Sequence, residues 1–533
     1  MKISTTSLLI SSLYLTGIPS VSFGDTPDSW PTWRPVSGNG VAENATPPTE
    51  WNNDKNIKWK TEVGGAGFST PIIWKDKIFL LSAEPIGAAP DDVIADQPNA
   101  QRGGGPDAGQ GPRGAGQGLG GRAPGGGPPP ELMAEFDKDG DGELNEAERD
   151  ALRSAMRARR GNQGGADQAQ ASRGGGQRQR GQGGGGGRGG RGGPNAPAQT
   201  ILVHQFKVIA LDRGTGRVLW ESLAREEKPH EGHHPSHGYA DASPVTDGSH
   251  LYASFGSRGI YCYDLEGNQI WETDLGDMRT RVGFGEGSSP ALAGEYLIVL
   301  WDHEDDSSIV ALDKKTGEEV WRQPRDERTS WTTPFIQEVD GKLQVIVAGT
   351  NATRSYDAKN GNLIWEASGL TSNVIPTPVV GHGNVYVTSG YQGNSVQAIK
   401  LTSKGDVTDT DSVLWRVRES APYVASPVLS GDRLYVTKSF DAYISCLNAL
   451  DGTHFYQDIE LDALRGIYAS PLAANGYIYV AGREGTTVVL KDSETFEIVA
   501  TNKLDDKIDS SPVAIGNELF IRGHKYLYCI SDT

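Results

Sequence analysis

Cysteine is scarce in this chain, with three in 533 residues, and none of Cys262, Cys446 and Cys529 is adjacent to another. An odd, small number does not make the disulfide framework of a small secreted domain. Long apolar runs are also missing. Beyond the N-terminus no segment approaches the roughly 20 apolar residues that a membrane-spanning helix needs. Positive charge is short as well: 50 Lys and Arg stand against 68 Asp and Glu, a net charge of −18. Residues 86–203 hold 14 acidic and 14 basic side chains, so the whole negative balance lies elsewhere. A body this acidic argues against nucleic acid as a partner, because phosphate binding needs basic surface.

The N-terminus carries Lys2, an apolar stretch around Leu8, Leu9, Ile10, Leu13 and Leu15, and then small residues through Ser22 and Gly24. It reads as a cleaved secretory signal over 1–24. No cysteine stands near the cleavage position to receive a lipid. The expectation is a periplasmic or secreted protein without a membrane span, and a monomer.

What the chain has in abundance is a repeat. A Ser/Thr-Pro pair followed by an alternating apolar run occurs eight times, at Pro71, Pro244, Pro290, Pro334, Pro378, Pro427, Pro471 and Pro512. From Pro244 onward the gaps are 46, 44, 44, 49, 44 and 41 residues. A period in the forties built of strand-like segments marks a β-propeller blade, which cannot bury its faces alone. Within a copy, Ser/Thr-Pro opens a strand where a missing N–H is tolerated. An Asp-x-x-Thr-Gly turn follows, and then a Trp that fills the space between blades. The full form is Ala311-Leu312-Asp313-Lys314-Lys315-Thr316-Gly317 with Trp321. Ala210 with Trp220, Cys262 with Trp271 and Ser355 with Trp365 match it. Later copies are looser: Ala398 leads to Trp415, Cys446 to Tyr456 and Val489 to Val499.

The eighth copy ends at Thr533 before its last strand, and Asn56–Lys60 upstream supplies a candidate. The reading is an all-β, eight-bladed propeller of four-stranded antiparallel blades, closed by this N-terminal strand so that no edge is left exposed. The cysteines all fall at the small-residue position in non-neighbouring blades, so three free, buried thiols are expected.

The first blade is interrupted. Pro71 and Ala210 are 139 residues apart, which places an insertion at 86–203 between the propeller start at 25–85 and its remainder at 204–533. Its Gly/Arg/Gln/Pro-rich flanks have the composition of tethers; the arginine-glycine tract can serve as a solvated tether or bind RNA or an anionic surface. Between them, 131–160 reads as a small α-helical EF-hand. Asp137, Asp139, Asp141, Glu143, Asn145 and Glu148 occupy the loop's ligand positions, with Gly142 at the sharp turn, which is a donor set for Ca²⁺.

The segments entering each Ser/Thr-Pro should converge at one mouth of the ring, and they are polar. His237, Arg281, Glu286, Arg325, Glu327 and Trp331 are the candidate ligand-binding residues there. Arg281, Glu286, Arg325 and Glu327 serve equally well as interblade ion pairs. His230, His233, His234 and His237 lie on a Pro-containing loop, which suits a fixed metal site poorly. Residues 301–306 look like a metal cluster, but neighbours on a strand face opposite ways.

The form Ala-Leu-Asp-x-x-Thr-Gly-x-x-x-Trp at 311–321 resembles the repeat of pyrroloquinoline quinone (PQQ)-type β-propellers rather than WD40, whose Gly-His and Trp-Asp pairs are absent. The resemblance covers nearly all of 30–533 apart from the insertion. That family includes quinoprotein dehydrogenases, the assembly scaffold BamB and other exported bacterial proteins. The chain departs from the dehydrogenases in lacking adjacent cysteines and a Cys-x-x-Cys-His haem signature. It departs from BamB in lacking a lipid-acceptor cysteine and in carrying the EF-hand. The resemblance implies a non-catalytic binding scaffold for an envelope or extracellular protein or a small ligand. The alternative it implies is a calcium-dependent quinoprotein oxidoreductase holding PQQ with arginines and a stacked Trp331. A carbohydrate-binding module or hydrolase at an acidic mouth is a third option.

Overall fold

A computed structural model describes residues 29–35, 37–87 and 201–532. The expected signal segment, most of the insertion and the six calcium-ligand candidates from Asp137 to Glu148 lie outside the described residues.

Each Ser/Thr-Pro is followed directly by a short strand: Ile72–Trp74, Val245–Thr246, Ala291–Ala293, Phe335–Val339, Val379–Gly381, Val428–Ser430, Leu472–Ala474 and Val513–Ile515. Each is the first, axial strand of an antiparallel sheet, and there are eight such sheets. Blade 1 comprises 72–85 and 204–227, and blades 2 to 7 cover 245–273, 291–324, 335–367, 379–417, 428–460 and 472–503. Blade 8 covers 513–531 and takes its outer strand from Ile57–Glu62, which pairs with Tyr526–Ser531. The expected closing strand is therefore present, with Trp59 opposite Cys529.

The repeat's residues are spent on joining blades. Trp271 of blade 2 donates its indole N–H to the Lys314 carbonyl of blade 3 at 3.1 Å. Trp59, Trp220, Trp321 and Trp415 do the same to the next blade. Gly317 has φ 74°, and an added Cβ would lie 2.6 Å from the Trp271 ring, so only glycine fits under the tryptophan. In blade 5 the longer third-to-fourth connection adds a strand, Gly405–Asp406, beside Leu363–Ala367 of blade 4. Trp365 is fully buried. The last looser copy differs from expectation: Val489 pairs with Ala500, because the turn between Leu490 and Ile498 is one residue longer than that between Leu312 and Glu319, and Val499 is exposed.

The Ser/Thr of each pair has a role beyond starting a strand. Seven backbone N–H groups donate to the hydroxyl at the same place in the following blade, from Thr70→Ser243 round to Ser470→Ser511, at 2.9–3.3 Å. At the eighth junction Ser510 Oγ donates to the Phe68 carbonyl at 2.8 Å. A belt of hydrogen bonds thus encircles the axis.

Cys262, Cys446 and Cys529 are free and buried, as expected. Burial pushes the Cys262 and Cys446 thiols up to about 12, so they are inert apolar filling.

The ring's two faces differ. On one, residues 29–35 and 37–46 cross the axial strands. Ser29–Trp30 pairs with blade 1, the Pro31 carbonyl accepts from Thr246, Asn39 from Leu429 and Gly40 from Ala473, and Thr46 N–H donates to Gly516. Arg34 is buried there and donates to the Ser426, Pro427 and Pro471 carbonyls. Burial without a counter-ion draws its guanidinium down to about 9. This segment closes the floor. The opposite face is formed by the turns between second and third strands and by the segments entering each Ser/Thr-Pro, and it is the mouth.

Candidate functional site at the propeller mouth

Two features occupy the mouth. The first is an aromatic row on blades 5 to 7. Tyr391 stacks on Tyr423 with centroids 4.9 Å apart, Tyr423 meets Phe440 at 5.7 Å, and Phe440 meets Tyr468 at 6.3 Å. The Arg483 guanidinium lies 3.9 Å from the Tyr468 ring centroid and pairs with Asp509 at 2.6 Å. Asp509 also holds His524 at 3.0 Å. Burial raises the Asp509 carboxyl, but the His524 and Arg483 hydrogen bonds outweigh it, leaving the group below its ordinary range. Phe440 is 63% exposed, which is unusual for a ring flanked by two others. The loops do converge, since the charge of Arg281 acts on Tyr423 across the ring.

The second feature is a cavity of about 50 Å³ between blades 1, 2 and 3. Its walls include Tyr239, Phe255 and Trp331, and its polar lining includes Glu231, Asp241 and Glu286. Glu286 accepts from Ser257 N–H at 2.7 Å and Ser257 Oγ at 2.5 Å. Burial nevertheless raises its carboxyl to about 7, against those two hydrogen bonds. Gly256 is in the left-handed region, φ 56°, and a Cβ there would overlap the Glu286 carboxylate. Burial also pushes the Tyr239 hydroxyl up to about 12.

The structure divides the six candidate mouth residues. Glu286 and Trp331 line the cavity, and Trp331 is fixed by its indole N–H on the Gly285 carbonyl at 2.8 Å. His237 sits beside it, 3.5 Å from Asp241, and burial lowers its imidazole below the ordinary value. Arg281 is partly exposed on a short 3₁₀ turn whose next residue, Val282, has φ 56° and is 83% exposed. A β-branched residue in that conformation is strained. Arg325 and Glu327 are buried beneath the mouth loops and already paired. Arg325 has a fully buried side chain bonded to Asp302 at 2.7 and 3.1 Å and to the Tyr356 hydroxyl at 2.8 Å. Glu327 is held by Arg354 and by the N–H groups of Asn351 and Ala352. For these two the ion-pair reading applies.

The four loop histidines go to separate partners, His230 to the Met278 carbonyl, His233 to the His234 carbonyl, His234 to Ser236 and His237 to Asp241. Among the described residues no group of three or more His, Cys, Asp or Glu is arranged to hold a metal ion. Sequence reasoning missed Tyr391, Phe440, Arg483, Glu231 and Asp241. Tyr423 and Tyr468 stood in the right segments, and the polar character of 230–241 was the only signal for the cavity's acids.

Comparison with known proteins follows from this geometry. The family described as outer membrane protein assembly factor BamB matches residues 204–457. Tetrathionate hydrolase of Acidithiobacillus ferrooxidans is 24% identical over 306 residues, covering 54% of this chain and 56% of that protein. BamB of Shewanella oneidensis is 21% identical over 296 residues, covering 53% and 65%. The chain therefore spans less than two-thirds of the length of either curated relative. Among solved structures, BamB of Moraxella catarrhalis is similar with TM-score 0.46 and 16% identity, covering 63% of this chain and 92% of that one. Quinohemoprotein alcohol dehydrogenase of Comamonas testosteroni is similar with TM-score 0.47 and 8% identity, covering 62% and 74%. The chain is an eight-bladed β-propeller whose residues 204–457 match the family described as outer membrane protein assembly factor BamB.

Proposed function

We propose that this protein is an exported binding scaffold that docks a partner protein of the cell envelope across its mouth, and that its inserted EF-hand loop binds one Ca²⁺. The observation that carries the docking reading is the row Tyr391–Tyr423–Phe440–Tyr468 ending on Arg483. Aromatic and arginine side chains supply most hot spots at protein interfaces. The repeat shared with an outer membrane assembly factor supports an envelope setting. Phe440→Ala and Tyr423→Ala together should weaken partner binding roughly 30-fold or more, as the loss of a hot-spot pair does. Unchanged binding of an identified envelope partner by that variant counts against the reading.

The quinoprotein alternative fits these residues poorly. Trp331 is packed inward with its indole N–H on the Gly285 carbonyl, and Arg325 is committed to Asp302. A quinone absorbance and dye-linked oxidation of alcohols or sugars after reconstitution with PQQ and Ca²⁺ would restore the alternative.

For calcium, the six oxygen donors from Asp137 to Glu148 match a hard cation. Titration of the full chain should show one saturable site that Glu148→Gln abolishes. Extracellular modules of this kind bind at about 10⁻⁴–10⁻³ M, and no saturable signal in the wild type at millimolar Ca²⁺ would refute the site.

A further inference from the structure

Beside the docking row the mouth holds a cation without a counter-ion. Arg281 opens the short turn Arg281–Gly283 in the segment entering blade 3. Its backbone N–H is fixed on Thr329 Oγ1 at 2.9 Å, and that hydroxyl donates in turn to Glu304 at 3.0 Å. The residue is half-buried, and among the described residues no carboxylate pairs with its guanidinium. Arginines around it differ in this respect. Arg279 pairs with Asp305, Arg325 with Asp302, Arg354 with Glu327 and Arg483 with Asp509. A chain of net charge −18 has carboxylates enough to cover Arg281, and leaves it uncovered.

The ring fixes where this cation lies. Tyr423 belongs to the segment entering blade 6, three blades on from the segment of Arg281. Burial raises the Tyr423 hydroxyl, and the charge of Arg281 acts against that rise. Segments so far apart on a ring come within reach of each other only near its axis, so the guanidinium lies close to the axis. Tyr391 and Phe440 flank Tyr423 at 4.9 and 5.7 Å. An unpaired guanidinium therefore meets the middle of the aromatic row, next to the exposed ring of Phe440.

A guanidinium takes both oxygens of a carboxylate at once, and the rings beside it take apolar side chains. A polypeptide carries carboxylates on acidic side chains and at its C-terminus. The axial position separates the two. A chain end reaches the axis in one passage over the blade loops, whereas an internal acidic residue brings its chain in and out again between loops that converge. At a chain end the carboxylate also directly follows the last side chain, so its seat on Arg281 sets that side chain against Tyr423 and Phe440. We infer that the mouth receives the C-terminal end of its partner, with the terminal carboxylate on Arg281 and one or two apolar or aromatic side chains on Tyr391, Tyr423 and Phe440. This names the segment that docks, and it rests on the docking reading.

The probe is a pool of short random peptides, attached through their N-termini and offered to the full chain in three forms. One has a free C-terminal carboxylate, one is the C-terminal amide, and one is the amide with an internal glutamate. The expected result is saturable binding of free-carboxylate peptides that end in apolar or aromatic residues, with both amide forms about tenfold weaker or more, as loss of a charged hydrogen-bonded pair gives. Arg281→Gln should bring the free-carboxylate form down to the level of the amides, and Arg281→Lys, which keeps the charge without the fork, should retain part of the difference. Amides bound as tightly as free carboxylates would overturn the inference and leave docking on the row standing. Preference for the internal glutamate, wild-type affinity in Arg281→Gln, or no binding of any form would overturn it as well. Free-carboxylate binding that survives Phe440→Ala and Tyr423→Ala together would overturn the inference and the docking row with it. Comparison of the three forms in the wild type requires no variant to fold.

Discussion

Individual residues in this protein divide into those that hold blades together and those left facing the mouth. Gly317 under Trp271 belongs to the first group. Gly317→Ala places a Cβ against the indole and forces an alanine to φ 74°, at about 2–4 kcal/mol in total; urea unfolding measures it. Arg325 and Asp302 also belong there. Removing one partner of a fully buried pair costs about 3–5 kcal/mol, so Asp302→Ala should lower the unfolding midpoint sharply. Glu286 is the opposite case. Its folded carboxyl titrates at about 7 against an ordinary 4.5, so the proton it holds contributes stability at low pH that is lost as pH rises through 7. Glu286→Gln should therefore be more stable relative to wild type at pH 8 than at pH 5, by about 2 kcal/mol. Equal differences at both pH values would show that the carboxyl is not perturbed. At this scale the sequence spoke unevenly. The Trp and Gly positions were legible because the repeat prints them several times over. Arg325 and Glu327 looked like mouth residues, because their partners Asp302 and Arg354 are identified only by the packing of neighbouring strands.

At the scale of elements, the Ser/Thr-Pro phrase marks the axial strand of every blade, and the structure adds why the residue before proline is hydroxylic. Its oxygen accepts an N–H from the preceding blade, a contact 41–49 residues away in most copies and 173 at Thr70→Ser243. No local pattern reports such a bond. Ser289→Ala leaves the Ser243 N–H without an acceptor and should cost about 1–3 kcal/mol, whereas Ser289→Thr should be nearly neutral, since Thr333 and Thr377 fill the same place. Thermal unfolding of the two variants separates an acceptor role from simple packing. The closing strand was legible from the missing last strand of blade 8. The floor segment was not: it has no periodicity, and the carbonyls of Pro31, Asn39 and Gly40 hold it to the blades as much as the Arg34 side chain does.

For the whole molecule, closure by Ile57–Glu62 on one side and by the floor segment beneath leaves the mouth as the face with exposed aromatic surface near the axis. The eightfold architecture was readable because its period is strict, while the mouth's composition was not, since each loop contributes one or two residues and no two loops share a motif. The proposed role of this face is to dock an envelope protein. The most direct measurement is site-specific photocrosslinking in cells, with a crosslinking side chain at Tyr423 or Phe440 on the mouth, and at Leu414 or Ile498 on the outer strands. Docking at the mouth should give adducts with one envelope protein from the two mouth positions only, lost when Arg483 and Tyr468 are replaced by alanine. Adducts of equal yield from the outer strands, or none from the mouth, would contradict it.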